Sequence, residues 1–258
     1  MSVDTGRAHT RTTRPAGGRK QAGDNTRTRI MDAAEELFAD NGYEGTSLRG
    51  IMAHAGVSIS LISYHFGNKA GLLHAIFEAK AAPLNRARLD LIKQACAANP
   101  VPKLDDLMRG YFLPAFRDSF LNKRRRNNFM RFVSRIGSDR SEFAREMMRE
   151  FFDDFQRQFI AAIKPALPHL SEEDLYWRLH CLLCIVTHTQ NNPARIYELS
   201  GGRCDFSQVD YAFEHILPFL VEGMRAPAPA RSAAKRNGAA HSHPPPAKAR
   251  GRRKVSAG

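Results

Sequence analysis

The sequence predicts an all-α protein with basic, disordered extensions at both ends. Three observations carry that expectation. Apolar residues recur at i, i+3, i+4 and i+7 through much of 30–224, the spacing of one face of a helix. Ser, Asn and Gly punctuate those runs where helices need caps and stops. The ends, residues 1–26 and 226–258, are polar and basic, and the second carries Val255 as its one large apolar side chain. Such segments cannot bury enough surface to offset the entropy of ordering.

The first helix is expected over TRTRIMDAAEELFADNGYEG, where Ile30, Ala34, Leu37 and Phe38 form one stripe. Asn25, Thr26 or Thr28 can cap its start, and Asn41-Gly42 supplies a left-handed stop. Thr46 or Ser47 caps a short second helix whose Leu48, Ile51, Met52 and Ala55 repeat the pattern. Gly56 breaks it, and Ser58 is placed to cap a third helix from Ile59 to Phe66 after a three-residue connection. Gly67 ends that helix and Asn68 caps the next, with Leu72, Leu73, Ile76 and Phe77 as its apolar face. Two short helices joined by a tight Gly-containing turn and braced on both sides are a helix-turn-helix unit.

Further helices are expected from Pro83, as a start or a kink, to Ala97, then over Leu104 to Phe120 and Asn127 to Ile136. Arg140 to Ile163 carries Phe143, Met147, Phe151, Phe155 and Phe159 at four-residue steps, a core stripe. Ser171-Glu172-Glu173-Asp174 opens a helix with acids at its N-terminus, running toward Gln190 before Asn192-Pro193. After a Gly201-Gly202 loop, Phe206 to Met224 makes the last helix.

Formal net charge is +13, from 39 Lys and Arg against 26 Asp and Glu. Residues 1–29 hold seven cations and two anions, and residues 226–258 hold eight cations and no acid. The stretch between them carries 24 of each sign and is neutral. Like-charge ends of this kind either solubilise a protein or act as nucleic-acid-binding arms. Nothing at the N-terminus has the apolar segment of a secretory signal, and no apolar run approaches the roughly 20 residues of a membrane span.

The stretch TSLRGIMAHAGVSISLISYHFGNKAGLLHAIF, with its AGVS, its YHF triplet and Lys69 followed by Leu72-Leu73, resembles the DNA-binding domain of the TetR family of bacterial regulators. The resemblance covers about residues 27–77. It implies an N-terminal helix-turn-helix DNA-binding domain (27–77) followed by an all-helical ligand-binding and dimerisation domain (78–225). A recognition helix in the major groove would then present Ile59, Ser60 and Ser63 to base edges. Ser can meet donors or acceptors, and Ile59 only an apolar group such as a thymine methyl. Arg49 matches a position suited to a guanine or phosphate. Tyr64, His65 and Lys69 match phosphate-holding positions, and the hydroxyls of Thr46 and Ser47 sit at a helix N-terminus where they can do likewise. Residues 27–77 nevertheless sum to a formal charge of −1, so DNA binding there would rest on a few placed side chains and on the arm leading into the first helix.

The same resemblance implies a homodimer through the last two helices, about 172–191 and 206–224, a near-palindromic double-stranded DNA operator and a small-molecule effector. The run from 170 to 205 is similar to members that respond to fatty acids or acyl thioesters. Met108, Phe112, Phe116, Phe129 and Phe132, with His180 and Cys184, are the candidate lining of an acyl pocket. Those Phe and Met residues suit an ordinary core equally.

Cys96, Cys181, Cys184 and Cys204 are expected as reduced, buried core thiols of a cytoplasmic protein. Cys181 and Cys184 form a C-x-x-C beside His180 and His188, but no second pair or nearby carboxylate completes a zinc set. No metal or cofactor is expected. Lys123 to Arg126 reads as a solvated cationic run, or as a grip for an acidic ligand. The chain carries no G-x-x-x-x-G-K-[ST], G-x-G-x-x-G, H-E-x-x-H or G-x-S-x-G, so an enzyme is not expected. The expected function is an effector-responsive transcriptional repressor, with a ligand-dependent activator or a nucleoid-type architectural protein as alternatives.

Overall fold

The computed structural model describes residues 17–121, 128–139 and 141–228, leaving the side chains of 17–24 and 121 aside. Most of the basic arm, the tail from 229 onward and the Lys123 to Arg126 run lie outside the described residues. Among the described residues every regular element is helical, as the spacing predicts.

Helix α1 (Gly17–Gly45) begins earlier than Asn25 or Thr28, running through Gly17, Gly18 and Gly23 with the better helix formers Arg19, Lys20, Gln21 and Ala22 between them. Its expected stop appears as a kink, with Gly42 at φ 75° and ψ 174°. Only glycine enters that region without strain. Helices α2 (Leu48–Ala55) and α3 (Ser60–Phe66) follow, then α4 (Lys69–Ala98), a single helix. Pro83 neither starts nor ends an element: it sits inside α4 with its ring exposed to solvent, so it removes one internal N–H without forcing a packed side chain out.

Helices α5 (Leu104–Leu121) and α6 (Asn128–Ser138) are close to expectation. The run expected as one helix over 140–163 is α7 (Glu142–Met148) and α8 (Asp154–Ile163), joined by a π-helical turn at Arg149–Asp153. Helix α9 (Glu172–Asn191) opens on a capping box, the Ser171 hydroxyl accepting from Asp174 N at 3.1 Å and the Asp174 carboxylate from Ser171 N at 3.0 Å. A short α10 (Pro193–Leu199), not anticipated, starts on the proline read as a break, because proline fits the first helical position as well as it ends a preceding helix. Helix α11 (Val209–Arg225) completes the fold.

Two apolar clusters share these helices. The first joins α1, α2, α3 and the front half of α4 to α6 and α7, around Phe38, Phe77 and Phe132. Phe132 stacks on Phe38 at 5.3 Å and meets Phe77 edge-on at 5.7 Å. The core of the helix-turn-helix region is therefore closed by residues well outside 27–77. The second cluster gathers Ile92 of α4 with α5, α8, α9 and α11. Helix α4 crosses the boundary expected near residue 77 and runs through both.

Candidate nucleic-acid interface and effector region

The α2–α3 pair is set by local chemistry. Ser47 caps α2, its Oγ accepting from Gly50 N at 3.0 Å. Gly56, at φ 63° and ψ 42°, closes the helix with its N–H on the Ala53 carbonyl, while Val57 N donates to Met52 O at 3.2 Å. Arg29 Nη2 then donates to the Ala55 carbonyl at 2.6 Å, placing a cation on the negative end of α2. That clamp was not anticipated, since one arginine in a basic arm looks like any other.

Helix α3 is anchored by Ile62, with Leu61 and Phe66 half-buried against the same cluster. Ile62 is fully buried, whereas Ile59 and Tyr64 are 59% and 81% exposed, and Ser60 and Ser63 are also exposed. The four therefore form the outward surface of the helix. Ser58 does not cap α3: the cap position is Ile59, without a side-chain bond, and the Ser58 and Ser60 hydroxyls face each other at 2.9 Å. Tyr64 and His65 make an edge contact at 4.9 Å, and Arg27 lies over Phe66 at 5.3 Å. Asn68 caps α4 through Gly71 N at 2.8 Å. A Cβ on Gly71 would lie 2.1 Å from the Phe66 carbonyl oxygen, so glycine alone allows α3 and α4 to meet this tightly.

Arg49 is exposed at the start of α2, with no hydrogen-bond or ion-pair partner among the described residues, and Ser47 is exposed beside it. Lys69 holds its ammonium 4.2 Å over the Tyr43 ring, half-buried. Thr46 is a correction. It is buried, and its hydroxyl donates to Leu37 O at 3.0 Å and Gly42 O at 2.8 Å. Its donor is spent on the kink of α1, which leaves it no part in holding a phosphate.

The residues expected to line one ligand pocket are not brought together. Met108, Phe112 and Phe116 belong to the second cluster, whereas Phe129 and Phe132 belong to the first, where α6 packs on α1 and α4. His180 and Cys184 are exposed on the outer face of α9, with Nε2 and Sγ at 3.8 Å. The thiols are another correction. Cys181, Cys184 and Cys204 are exposed and Cys96 half-buried, because Leu175, Leu179, Leu182 and Val186 take the inward face of α9. Among the described residues no cluster of His, Cys, Asp and Glu could hold a metal, and no helix is long and apolar enough to cross a membrane.

An open cleft of about 620 Å³, not anticipated, lies where the end of α9, α10 and the start of α11 meet, with Thr189, Ile196, Leu199, Phe206 and Ile216 among its walls. On the same two long helices, large apolar side chains face solvent: Trp177 on α9 at 64%, and Tyr211 and Phe219 on α11 at 61% and 67%. Exposed apolar side chains of this size on two packed helices are candidates for a contact surface.

Two family models match these two regions. The model of bacterial regulatory proteins of the tetR family matches residues 30–76, and that of the tetracyclin repressor-like C-terminal domain matches residues 109–223. Together they take in more than half of the chain. The chain belongs to the TetR family. Relatives within it include the HTH-type transcriptional repressor Rv3405c of Mycobacterium tuberculosis, 31% identical to this TetR-family chain over 119 residues. That match spans 43% of the chain and 63% of the relative, so less than two thirds of the relative's length is covered. A transcriptional regulator from Pseudomonas aeruginosa PAO1 superposes with a TM-score of 0.54 at 19% identity, over 78% of this chain and 91% of that one. FadR from Bacillus subtilis, in complex with stearoyl-CoA, superposes with a TM-score of 0.51 at 17% identity, over 76% and 98% of the two chains. At such identities the two structures share the TetR fold and no more.

Proposed function

We propose that this TetR-type regulator is a homodimeric repressor that binds a near-palindromic DNA operator and is released from it by a small-molecule effector. The observation that carries the reading is the outward surface of α3, where Ile59, Ser60, Ser63 and Tyr64 are exposed around the buried Ile62. A major groove admits a helix presented in this way. Ile59, Ser60, Ser63 and Arg49 are assigned to bases, and Ser47, Tyr64, His65 and Lys69 to phosphates. The exposed stripes of α9 and α11 are assigned to the partner protomer, and an effector biases the dimer only through its different affinity for the two states. An acyl chain or acyl thioester is the effector class favoured by the likeness to FadR with stearoyl-CoA.

Footprinting on the DNA upstream of its own gene tests the reading. One short protected near-palindrome is expected, with half-sites one helical turn, about 34–36 Å, or a multiple apart. Coating without a boundary would show an architectural protein instead. Transcription from the protected promoter should fall when the protein is added, and a rise would make it an activator.

A further inference from the structure

Helix α4 carries a buried cation into the second apolar cluster. Arg88 is 5% exposed and forms no ion pair among the described residues. Its Nη1 donates to Asn85 Oδ1 at 3.3 Å, while its Nε has no hydrogen-bond partner. The guanidinium lies 5.3 Å from the ring centroids of both Tyr111 and Phe155. Burial lowers its pKa, and the charge of Asp118 pulls it partly back up.

Its neighbours are built to receive a cation, yet none of them neutralises it. Asn85 donates its amide N–H to the Phe151 carbonyl at 2.7 Å, which turns its oxygen toward Arg88. Phe151 belongs to the π-helical turn, a feature that recurs at functional sites. Tyr111, almost wholly buried, donates to Gln156 Oε1 at 2.6 Å, and burial pushes its pKa up to about 12, so it stays a neutral phenol. A buried charge without a partner is costly, and that cost is removed by an anion that fits. The Nε–Nη2 edge of a guanidinium is the edge that takes a carboxylate through two parallel hydrogen bonds. Met108, Phe112 and Phe159 stand in the same cluster, offering apolar surface to whatever carries that anion.

We infer that the effector is a free monocarboxylate with an apolar body, its carboxylate seated on Arg88 and its body among Met108, Phe112, Phe155 and Phe159. This inference rests on the proposed effector-responsive function and narrows it. A site this enclosed suits a head group of a few atoms, whereas the nucleotide of an acyl thioester would have to remain in water. Binding parts the aromatic side chains around Arg88, and because α4 runs on into the first cluster, the change is felt at the helix that follows α3.

Calorimetric titration of the whole chain with octanoate, decanoate, laurate and phenylbutyrate, each against its alcohol, tests this. At least one acid should bind once per chain, with its alcohol at least about tenfold weaker, as expected when a charge-assisted bond is lost. R88M should weaken that acid by about ten- to a hundred-fold, with the lost desolvation cost of the guanidinium offset in part by leaving Asn85 Oδ1 without its donor. R88K, which keeps the charge but not the two-pronged edge, should fall between, and serves if R88M does not fold. Binding by none of the acids, equal binding of acid and alcohol, or R88M and R88K binding as the wild type does would overturn the inference. The titration contains no DNA, so a preparation that holds its operator but binds no acid overturns this inference alone. One that binds acid through Arg88 but protects no DNA overturns the proposed function alone.

Discussion

Arg135 of α6 donates through Nη1 to the backbone carbonyl of Asp40, at 2.9 Å, just before the kink of α1. One turn earlier, Arg131 pairs with the Asp40 carboxylate at 3.0 Å. A Cβ on Gly42 would sit 3.0 Å from Arg135 Nε, so glycine at the kink also makes room for the guanidinium. Helix α6 thus holds the end of α1 through both backbone and side chain, next to the turn from which α2 departs. R135A should cost about 1 kcal/mol in urea unfolding, the usual loss of a hydrogen bond. R131A breaks a half-exposed ion pair and should cost under about 1 kcal/mol. If R131A proves the costlier change, the carbonyl contact is not the one that holds α1.

Glu35 predicts a pH dependence. Burial raises its carboxyl pKa above the ordinary carboxylate range, against the opposing pull of Lys80 at 3.3 Å. An acid whose pKa is higher folded than unfolded binds its proton more tightly in the native state. Its contribution to stability is complete below the unfolded pKa and is lost as pH rises through the folded one. The unfolding free energy of the wild type minus that of E35Q should therefore fall as pH rises above the ordinary glutamate value of about 4.3, and level off once the raised folded pKa is passed. Asp210, Glu214 and Glu142 are held low by hydrogen bonds from Arg117, Arg109 and Arg145, and titrate the other way. They do so in both proteins and cancel in the difference. A difference that grows with pH would mean that Lys80 outweighs burial.

Lys69 and Tyr64 should behave differently on DNA. K69A removes one phosphate neutraliser, so the slope of log affinity against log salt should shrink by about 0.9. It also loses the contact with Tyr43, for which about 0.5–1 kcal/mol of stability is a fair expectation. Y64F removes a neutral donor, which should weaken operator and unrelated DNA alike and leave the slope unchanged. A change in operator preference with Y64F would move that hydroxyl from phosphate to base.

Trp177 and Phe219 test the dimer. Burying them against a second protomer makes each a candidate hot spot, where a charge should cost at least about 2 kcal/mol of association. W177D and F219D should therefore sediment as monomers at concentrations where the wild type is a dimer, with unfolding midpoints little changed, because both side chains are exposed in the single chain. A wild type that is monomeric at those concentrations, or dimeric variants, would exclude these helices from the interface.

Much of this was legible in the residues, and the exceptions have physical reasons. Asn68, Ser47 and Gly56 announced their caps, because a capping side chain works on backbone within four residues of itself. Thr46 and the cysteines depart from expectation because the deciding facts are long-range. The Thr46 hydroxyl is used by carbonyls of a preceding helix, and the side of α9 that carries Cys181 and Cys184 is set by the neighbours it packs against. The scattered aromatic positions misled in another way. Phe112 and Phe132 have the same composition and spacing, and only tertiary packing sends one to each cluster. Arg88 is not legible in the sequence, since an arginine on a helix gives no local sign of being buried.

Five residues at steps of four, from Phe143 to Phe159, cannot stay on one face of a regular helix, which advances only about 3.6 residues per turn. The π-helical turn at Arg149–Asp153 is wider and absorbs part of that drift. It acts as a vernier between the two clusters, letting Phe152 close the first while Phe155 and Phe159 enter the second. The turn already takes up one extra residue, so deleting one there would restore a regular helix with α8 nearly in phase with α7, whereas inserting a further residue would rotate α8 by about 100°. Whichever aromatic set lost its partner would then face water, so a one-residue lengthening at this point should do more harm than a one-residue shortening.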